Sequence, residues 1–253
     1  MNRLFFIFFM LAANAFGMLP EDSSKPQLML KTTGVNKMEN SKKEIFKNLY
    51  QFSTYIPQMD FTIHQYLSAT EPAILFAAGT VQQAEKTLPE IQKILGDRPL
   101  KYIFVSHFES DEVAGIEIFQ KAYPDVTIIC GHLAARELFG FGYKVNILPK
   151  KGGEILEDGE LKLQFIDYPS EVHLQNGLVV SEINGGIFYS ADLMLSFGNG
   201  IGKIKTSDWK KEVEAIPLER VPNENKLREL KDSLLKISPK FVAVGHGYCI
   251  NCE

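Results

Sequence analysis

Cysteine is scarce in this chain: three thiols among 253 residues cannot build the disulfide framework that holds small secreted domains together. Positive charge is not in excess either. Lys and Arg number 27 against 31 Asp and Glu, for a net charge of −4, and the two signs are spread along the chain rather than gathered in blocks. That excludes a nucleic-acid binder working through a basic surface. Long apolar runs are also missing: the one from Leu4 to Ala13 holds ten residues, too few for a bilayer span, which takes roughly 20. Nor is there a dinucleotide fingerprint. In Phe197-Gly198-Asn199-Gly200-Ile201-Gly202 the third glycine is misplaced and no suitable strand and helix precede it. What is present is a 45% apolar composition, ample for a globular core.

The amino end has its own character. Arg3 precedes the apolar run, and the small residues Ala13-Asn14-Ala15 follow it, which is the order of a secretory signal peptide. Residues 1–17 are therefore expected to be a leader and the protein periplasmic or otherwise exported. The alternative is an ordinary segment of a cytoplasmic protein, with Met10 or Met18 as the true start. Residues 18–43 are polar and read as a linker, and 44–253 read as one domain.

Along that domain, short β-rich runs alternate with helical ones, an α/β pattern. Tyr50 to Ile56, Phe61 to Ser68, Ala73 to Phe76, Leu100 to Ser106 and Val126 to Cys130 read as strands. Thr80 can cap a helix in which Val81, Ala84, Leu88, Ile91 and Leu95 recur at helical spacing, and Val113 to Tyr123 and Leu133 to Phe139 read as further helices. The second half repeats the theme with strands at Leu161 to Asp167, Gly177 to Ile183, Gly186 to Ser190 and Phe241 to Val244, and a helix from Glu224 to Ile237. Strand clusters in both halves predict two sheets packed together and covered by helices.

Four strand ends deliver a histidine or a carboxylate. His107, Glu109, Asp111 and Glu112 follow the strand ending at Ser106; His173, Asp192 and His246 each follow a later strand. Any one of these is most simply a solvated loop residue, but jointly they make a metal shell: three imidazoles and four carboxylates, enough for two metals sharing a bridging carboxylate. Oxygen donors mixed with imidazole and no thiolate favour iron or manganese over zinc.

In this order the residues resemble the metallo-β-lactamase superfamily, whose first motif is usually His-x-His-x-Asp-His followed by a later His, an Asp and a His. His107-x-Glu109-x-Asp111 is more similar to the flavodiiron branch, in which the second His is Glu and the metals are iron. The string Ser106-His107-Phe108-Glu109-Ser110-Asp111-Glu112 resembles the stand-alone oxygen-binding diiron proteins, with Glu112 where flavodiiron enzymes have His. The resemblance covers about Phe61 to Gly247. It implies an αββα four-layer sandwich and two iron ions, with manganese and zinc ranking behind. One ion would be held by His107, Glu109 and His173 and the other by Asp111, Glu112 and His246, with Asp192 bridging. It also implies dioxygen or another small diatomic as ligand, a separate electron-donor or signalling protein as partner, and no FMN in this chain. A homodimer is compatible, and the resemblance favours the cytoplasm. Ala77 departs from the superfamily, many members of which carry Asp there.

A zinc-dependent hydrolase on the same fold is the competing reading, opposed by Glu109 and Glu112 standing where such enzymes keep His. His64 is expected either as a hydrogen-bond donor or proton relay beside the metals or as a polar residue on a half-exposed strand. His132 is expected at the surface, Cys130 in the core, and Phe197 to Gly202 as a lip over the site. Cys249-Ile250-Asn251-Cys252 would form a disulfide if the leader is real.

Overall fold

The structure is a computed structural model that describes residues 39–169 and 177–253. The leader expected over residues 1–17 lies outside the described residues. One group of strands comprises β1 (Glu39–Phe46), β2 (Leu49–Ile56), β3 (Phe61–Ser68), β4 (Ala73–Phe76), β5 (Leu100–Val105), β6 (Thr127–Gly131) and β7 (Asn146–Lys150). They form a seven-stranded sheet in sequential order. The others are β8 (Ile155–Asp158), β9 (Leu161–Tyr168), β10 (Gly177–Glu182), β11 (Ile187–Ala191), β12 (Ile204–Ser207), β13 (Phe241–Val244) and β14 (Cys249–Cys252). These form a second seven-stranded sheet in the order β12-β14-β13-β11-β10-β9-β8. The helices are α1 (Val81–Leu95), α2 (Ser110–Val113), α3 (Ile116–Ala122), α4 (His132–Gly140), α5 (Trp209–Glu214) and α6 (Glu224–Leu234).

The layering follows from alternation along buried strands. In β4, β5 and β6, Ile74, Phe76, Tyr102, Phe104 and Ile129 face the second sheet and meet Phe165, Val180 and Tyr189. Their neighbours Leu75, Ile103, Val105, Ile128 and Cys130 face outward onto Ala84 and Ile91 of α1, Phe119 of α3 and Leu138 of α4. Strands buried on both faces read as continuous apolar runs, which is why they were legible. Trp209 and Val213 of α5 and Leu227, Leu230 and Leu234 of α6 cover the second sheet. The result is helices, sheet, sheet, helices, the αββα order expected. Burying a side chain such as Phe104 completely contributes about 2–3 kcal/mol.

Several elements differ from the reading. Strand β1 begins at Glu39, inside the stretch read as linker. It is an edge strand paired only with β2 and mostly exposed, so it carries no apolar alternation. The helix read over Val113 to Tyr123 is two short helices, α2 and α3, broken at Ala114 and Gly115. A Cβ at Gly115 would collide with the Ala78 carbonyl and the Ala84 methyl, so only glycine lets this segment pass. Thr80 does cap α1, in a reciprocal capping box with Gln83.

The expected disulfide does not form: Cys249 and Cys252 are free thiols at the two ends of β14. Residues three apart on a strand project from opposite faces with Cα atoms roughly 10 Å apart, beyond the roughly 7 Å that a disulfide can bridge. Cys249 instead lies buried beside the Tyr66 hydroxyl at 3.1 Å and the Gln51 amide at 3.4 Å. Cys130 is core, as expected.

Because Gly115 N–H donates to the Gly79 carbonyl at 2.8 Å and Ala78 N–H to the Glu112 carbonyl at 2.8 Å, α2 is fixed against the end of β4. Gly115→Ala should therefore cost about 2 kcal/mol through overpacking. A urea titration checks this, and an unchanged midpoint would refute the close-approach argument.

Candidate metal centre

Three strands end at the same place. β5 leads into His107, Glu109 and α2; β11 leads into Asp192; β13 leads into His246. The two sheets are joined there by Ser106, whose carbonyl accepts from Leu178 N–H at 2.9 Å and whose hydroxyl donates to the Leu178 carbonyl at 2.6 Å. Ala191 adopts a left-handed conformation, φ 43°, where the pairing of β11 with β13 shifts register. That costs an alanine about 1 kcal/mol and turns the chain at the residue before Asp192.

The side chains converge in two groups that share one carboxylate. Nε2 of His107 lies 3.6 Å from Glu109 Oε1 and 3.7 Å from Asp192 Oδ2. Nε2 of His246 lies 3.0 Å from Asp192 Oδ1 and 3.4 Å from Asp111 Oδ2. Donors bound to one ion at about 2.1 Å stand roughly 3.0–3.4 Å apart in octahedral or tetrahedral arrangement, so these separations are close to what a shared cation needs. Ligand atoms of His107, Glu109 and Asp192 all fall within 4.8 Å of one another. His173 lies outside the described residues.

The electrostatics favour cations. Glu109, Asp111, Glu112 and Asp192 bring four carboxylates together, and Asp111 and Glu112 are buried. Burial, aided by Asp192 and Glu109, raises the Asp111 pKa, and burial pushes Glu112 up to about 7. Burial opposes charge on His107, but Glu109, Asp192 and Glu112 outweigh it and hold that ring well above its usual range. Burial is likewise outweighed at His246, which Asp192 and Asp111 raise to about 9. Asp192 would be raised by burial, but His246 and His107, and more weakly Arg220, hold it well below the usual carboxylate range. His107 Nδ1 is the buried side-chain polar atom that lacks a partner among the described residues. Divalent cations answer this excess of buried negative charge, and the donor set fits two of them.

His64 is buried and, among the described residues, makes no hydrogen bond to a side chain of this group. Its Nε2–H donates to the Gly247 carbonyl at 2.8 Å and its Nδ1 accepts from the Ser53 hydroxyl at 2.7 Å. Its backbone N–H donates to Gly245 at 2.9 Å, so it grips both neighbours of His246. Burial lowers its pKa to about 3. His246 Nδ1–H donates to the Thr62 carbonyl at 3.0 Å, which turns Nε2 toward the carboxylates. His132 is exposed, as expected.

Three contributors were not legible. Phe61 stacks on the His246 ring at 4.3 Å and packs against Phe197 at 5.7 Å, so the Phe197 to Gly202 loop does lie over this side of the site. Tyr189 donates to Glu112 Oε1 at 2.6 Å; a tyrosine inside an apolar strand, needing a partner for its hydroxyl, was the available signal. The third is Ser106, through its N–H to Glu112 Oε2 at 2.9 Å.

Residues 61–247 match the model of a family described as ODP family beta lactamase. The chain belongs to this family. The match establishes the metallo-β-lactamase fold for the ODP-family domain, and solved structures agree. A diflavin flavoprotein fragment from Nostoc sp. PCC 7120 superposes with a TM-score of 0.69 at 18% identity, covering 85% of this chain and 90% of that one. A flavoprotein from Thermotoga maritima gives 0.68 at 19% identity, covering 85% and 58%. Rubredoxin oxygen:oxidoreductase from the anaerobe Desulfovibrio gigas gives 0.66 at 15%, covering 84% and 58%. The chain thus spans little more than half the length of the last two. No curated protein matches it.

Two measurements follow. Metal ligation needs neutral imidazoles, and without metal both rings keep their protons at neutral pH. Cation loading at pH 7 in weak buffer should therefore release on the order of two protons per chain, with affinity climbing as pH rises toward about 9; a proton-silent titration would contradict this. His64 works in the opposite sense. An unfolded His titrates near 6.5 and the folded ring near about 3, so its contribution is complete above pH 6.5 and is lost as pH falls toward 3. His64→Gln should lose less Tm than the parent between about pH 6.5 and pH 4, and equal losses would clear His64 of this role.

Proposed function

We propose that this is a non-haem diiron protein that binds dioxygen or another small diatomic, either as a sensor or as a slow reductase supplied with electrons by a separate partner. The observation that carries the reading is Asp192, with one oxygen toward His107 and the other toward His246. A carboxylate so placed serves two ions. His107 and Glu109 would hold one ion together with Asp192, and Asp111 and His246 the other, with His173 completing the first by resemblance. Imidazole and carboxylate without thiolate suits iron. When bound, the two irons supply the electrons and open positions that diatomic binding requires.

The protein's own residues do the rest. His64 and Thr62 fix the His246 ring, and Phe61 and Phe197 shield it from water. Flavodiiron cores among the similar structures, one of them an oxygen:oxidoreductase by name, support the same chemistry. Zinc-dependent hydrolysis is the weaker reading, because Glu109 stands where such hydrolases carry His. We also propose that residues 1–17 direct export; amino-terminal sequencing of mature protein beginning at Met1 would refute this.

Metal analysis of anaerobically purified protein should find about two irons per chain, with optical changes on mixing the ferrous protein with oxygen. Zinc accompanied by ester or phosphodiester cleavage would overturn the reading. Asp192→Asn should lose at least one ion, and retention of both would remove the bridging role.

A further inference from the structure

Glu112 is the position where this sequence departs from the flavodiiron pattern, and its carboxylate is engaged elsewhere. The side chain is buried; Oε1 accepts from the Tyr189 hydroxyl at 2.6 Å and Oε2 from Ser106 N–H at 2.9 Å. The ring of His107 meets Glu109 and Asp192, and that of His246 meets Asp111 and Asp192. Among the described residues Glu112 pairs with neither ring.

Both donors are held by further contacts. Ser106 is joined to Leu178 through its carbonyl and hydroxyl. The Tyr189 ring stacks on Phe76 at 5.4 Å and meets Phe104 edge-on at 6.0 Å and Tyr66 edge-on at 6.2 Å. Two fixed donors on one buried carboxylate make charge-assisted hydrogen bonds, roughly twice as strong as neutral ones.

We propose that Tyr189 is a positioning residue that, with Ser106 N–H, keeps Glu112 from ligating the second metal. The second half of the site then consists of Asp111, His246 and the shared Asp192, three protein donors, which would leave positions open for a diatomic ligand on a six-coordinate ion. Glu112 contributes its charge through space rather than as a ligand. This inference rests on the two-metal reading above and sets Glu112 apart from the ligands that the resemblance implied for the second metal.

Cobalt(II) is the probe, titrated anaerobically into the full chain and read by stoichiometry and visible absorption. Glu112→Gln keeps an acceptor for Ser106 and should leave two ions bound, with second-site affinity within about threefold of the parent. Tyr189→Phe frees the carboxylate to ligate. It should strengthen the second site severalfold and weaken the visible bands as the coordination number rises, and adding Glu112→Gln should abolish both changes. A tyrosine that only packs would leave cobalt binding untouched in both variants, so an unaltered Tyr189→Phe overturns the proposal. Loss of one ion in Glu112→Gln overturns it as well, while leaving the two-metal reading intact. A parent chain that takes up fewer than two ions overturns the two-metal reading and this inference with it.

Discussion

Asp192 extends one carboxylate oxygen to each of two imidazoles that belong to different parts of the fold, His107 after β5 in the first sheet and His246 after β13 in the second. Like charges a few ångströms apart in a poorly hydrated site repel strongly, and two protonated rings are a partial answer to four carboxylates. Without metal, the ring protons and the raised Asp111 and Glu112 carry the compensation. Two divalent cations would displace the ring protons, set four positive charges against the four carboxylates and satisfy the geometry as well.

The scaffold holds several of these groups from outside. Thr62 and His64 of β3 hold His246 and its flanking carbonyls, and Ser106 ties β5 to β10. The glycine after His246 is required by space, and the one before it is closely packed. A Cβ at Gly247, which has φ 88°, would strike Ser196, and one at Gly245 would crowd the Ala191 backbone. Strain at Ala191 is held by the hydrogen bond from Gly245 N–H to its carbonyl at 2.9 Å. Such strain next to a functional carboxylate persists only when the surroundings over-determine it.

The converging positions were legible because they interrupt runs of apolar residues: His107 after Tyr102 to Val105, His246 after Phe241 to Val244. Strands buried on both faces announce themselves in the same way. Edge elements did not, since β1 and β12 are largely exposed and pair through backbone rather than side-chain pattern. The Cys-x-x-Cys spacing suggested a bridge that a strand cannot make. Glu112 has the type and spacing of a ligand, but the hydrogen bond that its carboxylate accepts comes from Tyr189, 77 residues away, and only the pairing of the two sheets brings the two together.

The aromatic cover bears on what the site admits. Phe61 lies on the His246 ring, Phe197 lies on Phe61, and the loop carrying Phe197 is tied to the start of β3. Gly198 N–H donates to the Asp60 carbonyl at 2.7 Å, the Thr62 hydroxyl donates to the Gly198 carbonyl at 2.7 Å, and Gly200 N–H donates to that hydroxyl at 2.8 Å. A hydrolase must admit water and a polar ester or phosphodiester, and would gain from donors along this wall. An apolar diatomic needs no donors for recognition, only a dry approach to an open metal position. An aromatic wall beside a charged centre would suit that approach, and it excludes water from the His246 side of the site, where charges are less screened.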